Sequence, residues 1–290
     1  MLNAPYGCGF VEAHEPLNCV LQADGLPSHG SLTGVWPDWQ GVGLDLPRNM
    51  FGSSRLAFGR DGLVAGSRLH MSSALRDVKV REGRHGKMGI VRFGYDFTPL
   101  AEGEDAPAPG AEPAVVQDLE FLCLPPQPPP TPQQLEERAS AVAAAEATQA
   151  ADPDAAAGAA PPTEPAPGPE PWPTSSLLPD SRMLFRFSSA TANSHRIHYD
   201  AAWATRVEGY QAVVVHGPLL QLAMLDFARV SSAARPIKSF FFRANAPSWC
   251  GGRLTLSGAS DPDTATFRVR THSPTGDTVC EGQGVYWADE

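Results

Sequence analysis

A polar segment of ten residues, 191–200, carries the side chains best suited to acid–base chemistry. They are Asn193, His195, Arg196, His198 and Asp200. A histidine changes its charge near neutral pH, so this segment is a candidate for general acid–base catalysis. It also fits a capped helix start, with Asp200 or Asn193 as the cap. An HxxH pair without a third ligand nearby is a weak zinc signal, and no metal site is predicted.

A second candidate is the run Val213–Leu219, which ends in His216-Gly217-Pro218-Leu219. Proline suits the first turn of a helix, where its missing N–H costs little. The free N–H groups at such a helix start can stabilise a developing negative charge. Taken alone, Gly217 is explained equally well as a tight connection between two elements.

The elements around these motifs predict an α+β fold. Apolar residues at Leu219, Leu222, Ala223 and Phe227 have the spacing of a buried helix. RMLFRFSSAT, just before the polar segment, is predicted as a strand. RPIKSFFFRANAP, GGRLTLSGAS, TATFRVRTHS and TVCEGQGVYW follow the helix and are also predicted as strands. One buried helix with long antiparallel strands predicts a sheet wrapped round that helix.

The N-terminal half repeats this strand-rich pattern. RLAFGR, SRLHMSSALRDVKVREG, KMGIVRFGYDFTPL and AVVQDLEFLCL are strand-like segments separated by turn residues. The second and third are predicted to pair through a glycine-containing turn. The insert EGEDAPAPGAEPA before the fourth is predicted as a hairpin loop.

Residues 125–174 are rich in proline and alanine and are predicted as a linker. Their middle, PQQLEERASAVAAAEATQA, is helix-prone. The predicted domains are therefore residues 1–124 and 175–290, joined by this linker.

The composition excludes several classes of function. A formal net charge of −10 argues against nucleic acid as a partner. No apolar run approaches the length of a membrane span, and the first residues lack the pattern of a secretory signal. The five cysteines are scattered and odd in number, which favours a reducing compartment. The sequence also lacks a P-loop, a GxGxxG turn, a GxSxG elbow and an HExxH motif.

The two candidate motifs together resemble the MaoC-like hot-dog superfamily. The similar segments are Leu184–Asp200, Glu208-Gly209-Tyr210 and Val215–Leu219. They are most similar to the branch of mesaconyl-C4-CoA hydratases and mitochondrial 3-hydroxyacyl-thioester dehydratases (type 2). Leu46–Ser54 resembles the RRMWAGG loop of that branch, so the likeness extends to the N-terminal half. The resemblance implies a tandem (double) hot-dog fold, each repeat a long antiparallel sheet round a central helix.

The resemblance also implies the catalytic residues. His198 takes the histidine place of the superfamily's GDxNPxH motif and is expected to be the general acid and base. Asn193 takes the aspartate place, where its amide would hold water or the substrate hydroxyl. The Gly217 N–H would stabilise the enolate of the thioester. His195 and Asp200 are expected to orient His198 or to relay a proton.

Further residues are expected at the substrate. In the C-terminal repeat they are Arg196, Tyr199, Gly209 and His216, with Arg196 structural or facing a phosphate. The N-terminal repeat lacks the N-x-H-R-x-H pattern and is expected to be non-catalytic and to bind the acyl chain. Met50, Phe51 and Gly52 are its candidate acyl contacts, although ordinary core packing also explains them.

The implied activity is that of a hydro-lyase without a cofactor. It would dehydrate 3-hydroxyacyl thioesters of acyl carrier protein or CoA to trans-2-enoyl thioesters, as in mitochondrial fatty acid synthesis. One alternative is a mesaconyl-C4-CoA hydratase, whose dicarboxylate substrate would require an extra cation in the acyl pocket. Another is a non-catalytic module that binds acyl thioesters. A mitochondrial location is expected, with a cytoplasmic one as the alternative, and a homodimer is left open.

Overall fold

The structure is a computed structural model, which describes residues 46, 48–64, 66–83, 86–125, 130–134, 136–137, 140, 172–191, 193, 195–261 and 263–288. The predictions on the N-terminal segment and on most of the linker lie outside these residues. In the linker, helical backbone at 132–134, 136–137 and 140 agrees with the predicted helix. No helix in the described part is long and apolar enough to span a membrane.

The described residues of the N-terminal half form four strands: β1 (Arg48–Phe58), β2 (Leu69–Gly83), β3 (Gly86–Pro99) and β4 (Val115–Leu124). All four segments that the sequence pattern predicted as strands are confirmed as strands. β2 and β3 form a long antiparallel hairpin, and the proline-rich insert connects β3 to its antiparallel neighbour β4. A register shift between Phe51 and Ser53 marks a bulge in β1 at Gly52. Because of this bulge, the alternation of side chains between the two faces of the sheet shifts by one residue on passing Gly52.

In the part of the C-terminal half that the structure describes, there are five strands and three α-helices. The strands are β5 (Ser175–Leu177), β6 (Ile237–Ala244), β7 (Leu254–Asp261), β8 (Thr266–His272) and β9 (Thr278–Tyr286). The helices are α1 (Ser181–Ala190), α2 (Ala201–Arg206) and α3 (Gly217–Ser231). The helix over AAWAT, the buried helix and the four strands after it were all predicted.

The prediction of a strand for RMLFRFSSAT is wrong, because the segment forms α1. Asp180 caps this helix by accepting a hydrogen bond of 2.7 Å from the Met183 N–H. Along α1, pairs of exposed residues alternate with pairs of more buried ones, and Leu184 is fully buried while Phe185 beside it is exposed. Exposure therefore repeats about every four residues, as in a helix. The short Met-Leu-Phe-Arg-Phe run gave this segment the sequence pattern of a strand instead.

The nine strands of the described residues form one antiparallel sheet in the order β2-β3-β4-β1-β6-β9-β8-β7-β5. The two halves meet where β1 pairs with β6, from Ser53 opposite Arg243 to Ala57 opposite Ser239. Backbone hydrogen bonds across this pair therefore fix the position of each half relative to the other.

Helix α3 packs against the C-terminal strands, but with a different face from the predicted one. Phe227 is buried as predicted, whereas Leu219, Leu222 and Ala223 are only partly buried. The covered row consists of Leu220, Met224 and Ala228, which are spaced four residues apart. The helix is apolar on most sides, so its pattern left the orientation open.

Trp172, near the end of the predicted linker, packs in the C-terminal core. Its ring contacts Phe227 and Phe267, and its backbone N–H donates to the Gly258 carbonyl at 2.9 Å. Within residues 48–125, apart from 65, 84 and 85, no helix lies on the N-terminal strands. The central helix of that repeat and the domain boundaries therefore stay predictions.

Candidate active site

A cavity of about 290 Å³ lies at the start of α3, between the polar segment and the strands β1 and β4. Both halves of the chain contribute to its wall. Its apolar side includes Met50, Phe51, Phe121 and Leu122. Its polar side includes Asn49, Asn193, His195, His198, Asn245 and Ser248. The cavity thus combines titratable groups with a surface suited to a hydrocarbon chain.

His198 is held in one orientation by the backbone. It ends a single 3₁₀ turn, Arg196–His198, and its Nδ1 lies 2.8 Å from the Val214 carbonyl oxygen. A second hydrogen bond, from the Val214 N–H to the Ile197 carbonyl at 2.8 Å, ties the same two segments together. Because a carbonyl only accepts, the Nδ1–H of His198 must donate. Its Nε2 is then left with a lone pair for chemistry in the cavity.

His216 lies behind His198 and is fully buried. The two rings are stacked, with centroids 3.6 Å apart and an angle of 17° between their planes. The Nε2 of His216 lies 2.9 Å from the Ser188 hydroxyl on α1. This contact fixes the ring of His216, which in turn supports one face of the His198 ring.

His195 completes a group of three buried imidazoles. Its ring meets that of His198 edge to face at 5.6 Å, and its buried Nε2 has no hydrogen-bond partner among the described residues. Its backbone N–H donates to Asn193 Oδ1 at 3.0 Å. The carbonyl end of the Asn193 amide is therefore engaged in the turn, and the NH₂ end remains as a donor.

Burial keeps all three imidazoles uncharged at neutral pH. It lowers the pKa of His198 to about 4, against a small opposing effect of the Val214 carbonyl. Burial and the neighbouring His198 lower the pKa of His195 to about 3. Burial, with the charges of His198 and His195 as lesser causes, lowers the pKa of His216 to about 2. His198 can therefore accept a proton without first losing one.

Gly217 begins α3 against the ring of Phe51. A Cβ placed on Gly217 would lie 2.5 Å from Phe51 Cδ1, so a larger residue there would clash. Pro218 occupies the first turn, as predicted, and His216 is the N-cap residue without a side-chain cap. The N–H groups of Gly217 and Leu219 have no acceptor within the helix, so this helix start can bind an anion in the cavity.

The family model for hydroxyacyl-thioester dehydratase type 2 matches residues 123–250. Mesaconyl-C(4)-CoA hydratase of Chloroflexus aurantiacus is 30% identical over 268 residues, which are 91% of this chain and 72% of that protein. The chain belongs to the MaoC-like hot-dog dehydratase family. The family resemblance predicted from the motifs is thereby confirmed.

Other similarities concern a shorter segment or the fold. Mitochondrial hydroxyacyl-thioester dehydratase type 2 of Schizosaccharomyces pombe is 37% identical over 80 residues, 27% of each chain. A solved MaoC-like dehydratase aligns with 86% of this chain and 79% of its own, at 16% identity and a TM-score of 0.60. The MaoC-like dehydratase of Phytophthora capsici aligns with 83% and 72%, at 12% identity and a TM-score of 0.54. These alignments span both halves of the sheet and confirm the hot-dog fold.

In this MaoC-like chain, the structure brings together about half of the predicted site residues. Asn193, His195, His198 and Gly217 line the cavity together with Met50 and Phe51. Gly52 lies beside the cavity, in a neighbouring groove. His216 does not line the cavity, because it is covered by the rings of His198 and Phe187. Its predicted contact with substrate and the roles of the other residues stay predictions.

The remaining predicted residues lie away from the cavity wall. Asp200 caps α2 through the Trp203 N–H at 2.9 Å and forms an ion pair with Arg196 at 2.6 Å. Arg196 also lies over the Trp203 ring at 4.0 Å. Tyr199 is exposed, and Gly209 has a positive φ of 74° in the turn after α2. The hydrogen bond that orients His198 is thus the one that it donates to the Val214 carbonyl, whereas Asp200 has the helix-capping role that the sequence left open.

Two structural partners of the site were missed in the sequence. Ser188 lies in the motif that carried the resemblance, but its contact with His216 was not anticipated. Arg48 of β1 forms a buried ion pair with Glu208, with Nε and Oε2 2.8 Å apart. Both residues belong to segments that resemble the family, and this shared resemblance was the available signal. Within the described residues, no cluster of three His, Cys, Asp or Glu is arranged to hold a metal ion.

Proposed function

We propose that this protein is a hydro-lyase that reversibly dehydrates 3-hydroxyacyl thioesters to trans-2-enoyl thioesters. The observation that carries the proposal is His198. Its Nδ1–H is committed to the Val214 carbonyl, and its ring lines the cavity beside the first turn of α3. The relatives in Chloroflexus aurantiacus and Schizosaccharomyces pombe, named as a hydratase and a dehydratase, support the same class of reaction.

In the dehydration direction, the Nε2 of His198 would take the proton from the α-carbon. Negative charge would develop on the thioester oxygen, where the Gly217 N–H at the start of α3 would stabilise it. The C3–oxygen bond would then break as the C=C bond forms. The same proton would pass from His198 to the leaving hydroxyl, which departs as water.

Asn193 fits this scheme as a positioning group. An amide cannot serve as a general base, but its NH₂ can donate a hydrogen bond to the substrate hydroxyl. His198 would therefore both remove and return the proton, and the free Nε2 of His195 would offer a second polar contact. The reverse sequence of steps gives hydration.

The cavity wall favours a hydrocarbon acyl chain over a dicarboxylate. Met50, Phe51, Phe121 and Leu122 form its apolar side, and none of the described residues that line it is lysine or arginine. A second carboxylate would lie there without a charge partner, which is unfavourable. A 3-hydroxyacyl group of fatty acid synthesis is therefore the favoured substrate, and mesaconyl-C4-CoA is the second candidate.

The same proposal includes a mitochondrial location, which rests on the Schizosaccharomyces pombe relative. It also includes a thioester of CoA or acyl carrier protein as the partner. A homodimer stays a prediction that sedimentation velocity would test.

The test is a turnover assay that follows the enoyl-thioester absorbance with purified protein. We expect turnover of crotonyl-CoA or a 3-hydroxyacyl carrier protein to exceed that of mesaconyl-C4-CoA. His198→Ala should lower kcat by about 10²–10⁴-fold, the range for loss of a general acid or base. His272→Gln is the matched control, because this histidine is bound by Ser257 on β7, outside the cavity. Near-normal turnover by His198→Ala, or no turnover of any of these thioesters, would contradict the proposal.

A further inference from the structure

A second cavity, of about 430 Å³, lies on the face of the sheet formed by β1–β4 and β6. We call it the outer groove. Leu122 and Ala244 line both the outer groove and the active-site cavity. The two spaces therefore lie on either side of these residues, close to the bulge of β1 at Gly52.

The outer groove is rich in cations, although the whole chain has a formal net charge of −10. Its basic side chains are Arg55, Lys79, Arg81, Arg92 and Arg243. Its acidic side chains are Asp77, Asp118 and Glu120. The formal balance of the lining is thus positive, in contrast to the active-site cavity.

The three acids of the outer groove already have other partners. Glu120 pairs with Arg92 at 2.9 Å, and Asp77 pairs with Lys79. Asp118 lies opposite Arg55 on the neighbouring strand, but it is 3.9 Å from Arg76.

Three arginines remain without a carboxylate partner in the described structure: Arg55, Arg81 and Arg243. Glu281 lies opposite Arg243 on β9 but pairs with Arg270 at 3.6 Å. These guanidinium groups are therefore available to an anionic ligand.

Two of these arginines are placed to act together. Arg243 lies opposite Ser53, and Arg55 lies opposite Phe241, so the two arginines are diagonal neighbours on one face of the β1–β6 pair. The guanidinium of Arg55 lies 4.6 Å above the Phe241 ring, which holds it over the groove. Guanidinium groups bind phosphate oxygens through paired, charge-assisted hydrogen bonds.

We propose that the outer groove binds the phosphate groups of a coenzyme A thioester while its acyl group occupies the active-site cavity. This inference rests on the proposed function. In such a substrate, an uncharged pantetheine arm separates the thioester from a diphosphate and a further phosphate on the ribose. A cavity without a cation beside a groove with three available arginines matches that distribution of charge. The recess has a bounded volume, which suits a compact nucleotide better than the surface of a carrier protein.

The test compares two crotonyl thioesters, one of CoA and one of N-acetylcysteamine, which has no phosphate. We expect the double variant Arg55→Gln/Arg243→Gln to raise KM for crotonyl-CoA about 10–100-fold, the range for losing charged hydrogen bonds. Its kcat, and its kcat/KM for the N-acetylcysteamine thioester, should stay unchanged. Arg229→Gln is the matched control, since Arg229 pairs with Asp226 on α3.

Three outcomes would overturn the inference. The first is an unchanged KM for crotonyl-CoA in the double variant. The second is an equal loss with both thioesters, since the arginines would then act on the acyl end. The third is a loss of activity confined to a crotonyl thioester of acyl carrier protein, or a change in sedimentation without a change in kinetics. Either result would identify the groove as a contact surface for a protein.

Calorimetric binding of free CoA separates this inference from the proposed function. CoA binding that weakens 10–100-fold in the double variant would support the groove even if no thioester is turned over. Turnover of the N-acetylcysteamine thioester with CoA binding unaffected by the variant would support the function and overturn the groove.

Discussion

Three imidazole rings, those of His195, His198 and His216, are buried together in their uncharged form, and this burial makes the fold sensitive to mild acid. In an unfolded chain, histidine binds a proton below about pH 6.5. In the folded protein, burial holds the pKa of these rings at about 3, 4 and 2, respectively. Between these limits the unfolded state binds more protons than the folded state, so stability falls as the pH falls.

The size of this effect follows from the pKa differences. A pH of 5 lies 1.5 units below the unfolded pKa of each histidine and above its folded pKa. This difference corresponds to a loss of about 2 kcal/mol in the free energy of unfolding for each histidine. The three together give a loss of about 6 kcal/mol between pH 7.5 and pH 5, and His272, whose pKa burial also lowers, adds to it. Typical domains are stable by about 5–15 kcal/mol, so this loss is a large part of the total. Carboxylates contribute little in this range because their unfolded pKa lies near 4.

Urea unfolding at pH 7.5 and pH 5 measures the effect. We expect His195→Asn, His198→Asn and His216→Asn each to reduce the difference between the two pH values by about 2 kcal/mol. Comparing differences removes the cost of the substitution itself, which is common to both pH values. A wild-type difference below about 2 kcal/mol, or variants with the full wild-type difference, would refute the burial of three neutral rings.

Two further predictions concern the junction of the halves. Arg48→Met removes the guanidinium that pairs with the buried Glu208 carboxylate and should lower the free energy of unfolding by about 3–5 kcal/mol. Urea unfolding should show that Arg48→Met/Glu208→Leu recovers most of this loss, and a double variant no more stable than the single one would contradict the argument. Gly217→Ala places a Cβ against Phe51 and should cost about 1–3 kcal/mol. Phe51→Leu in the same chain should relieve part of that cost, and additive losses in thermal unfolding would contradict the contact.

Most strands could be predicted because each has a local signal. Alternating burial, as in β4, and the turn residues between strands are visible in the sequence. α1 could not be predicted from its apolar pattern, because Met183, Leu184 and Phe187 fit a strand and a helix over so short a distance. Asp180 was the local signal for the helix, since it caps α1. The orientation of α3 depends on contacts with distant strands, which its own nearly all-round apolar pattern cannot specify.

The candidate site divides in the same way. The polar segment indicated His195 and His198, since their types and spacing are local properties. The stacking of His198 on His216 depends on the hydrogen bond from Val214 to Ile197, which joins segments that are distant in sequence. The pair of Arg48 with Glu208 spans 160 residues, and only the completed sheet brings its members together.

The pairing of β1 with β6 means that the two halves share a seam of main-chain hydrogen bonds. The linker between the halves therefore does not have to set the distance between them, and its length and composition can change while the halves keep their relative position. Each half also shields an edge that would otherwise invite pairing with a foreign strand. A half released by proteolysis would expose an unpaired strand edge that can pair with strands of other molecules. In the intact protein, the pairing of β1 with β6 covers both edges.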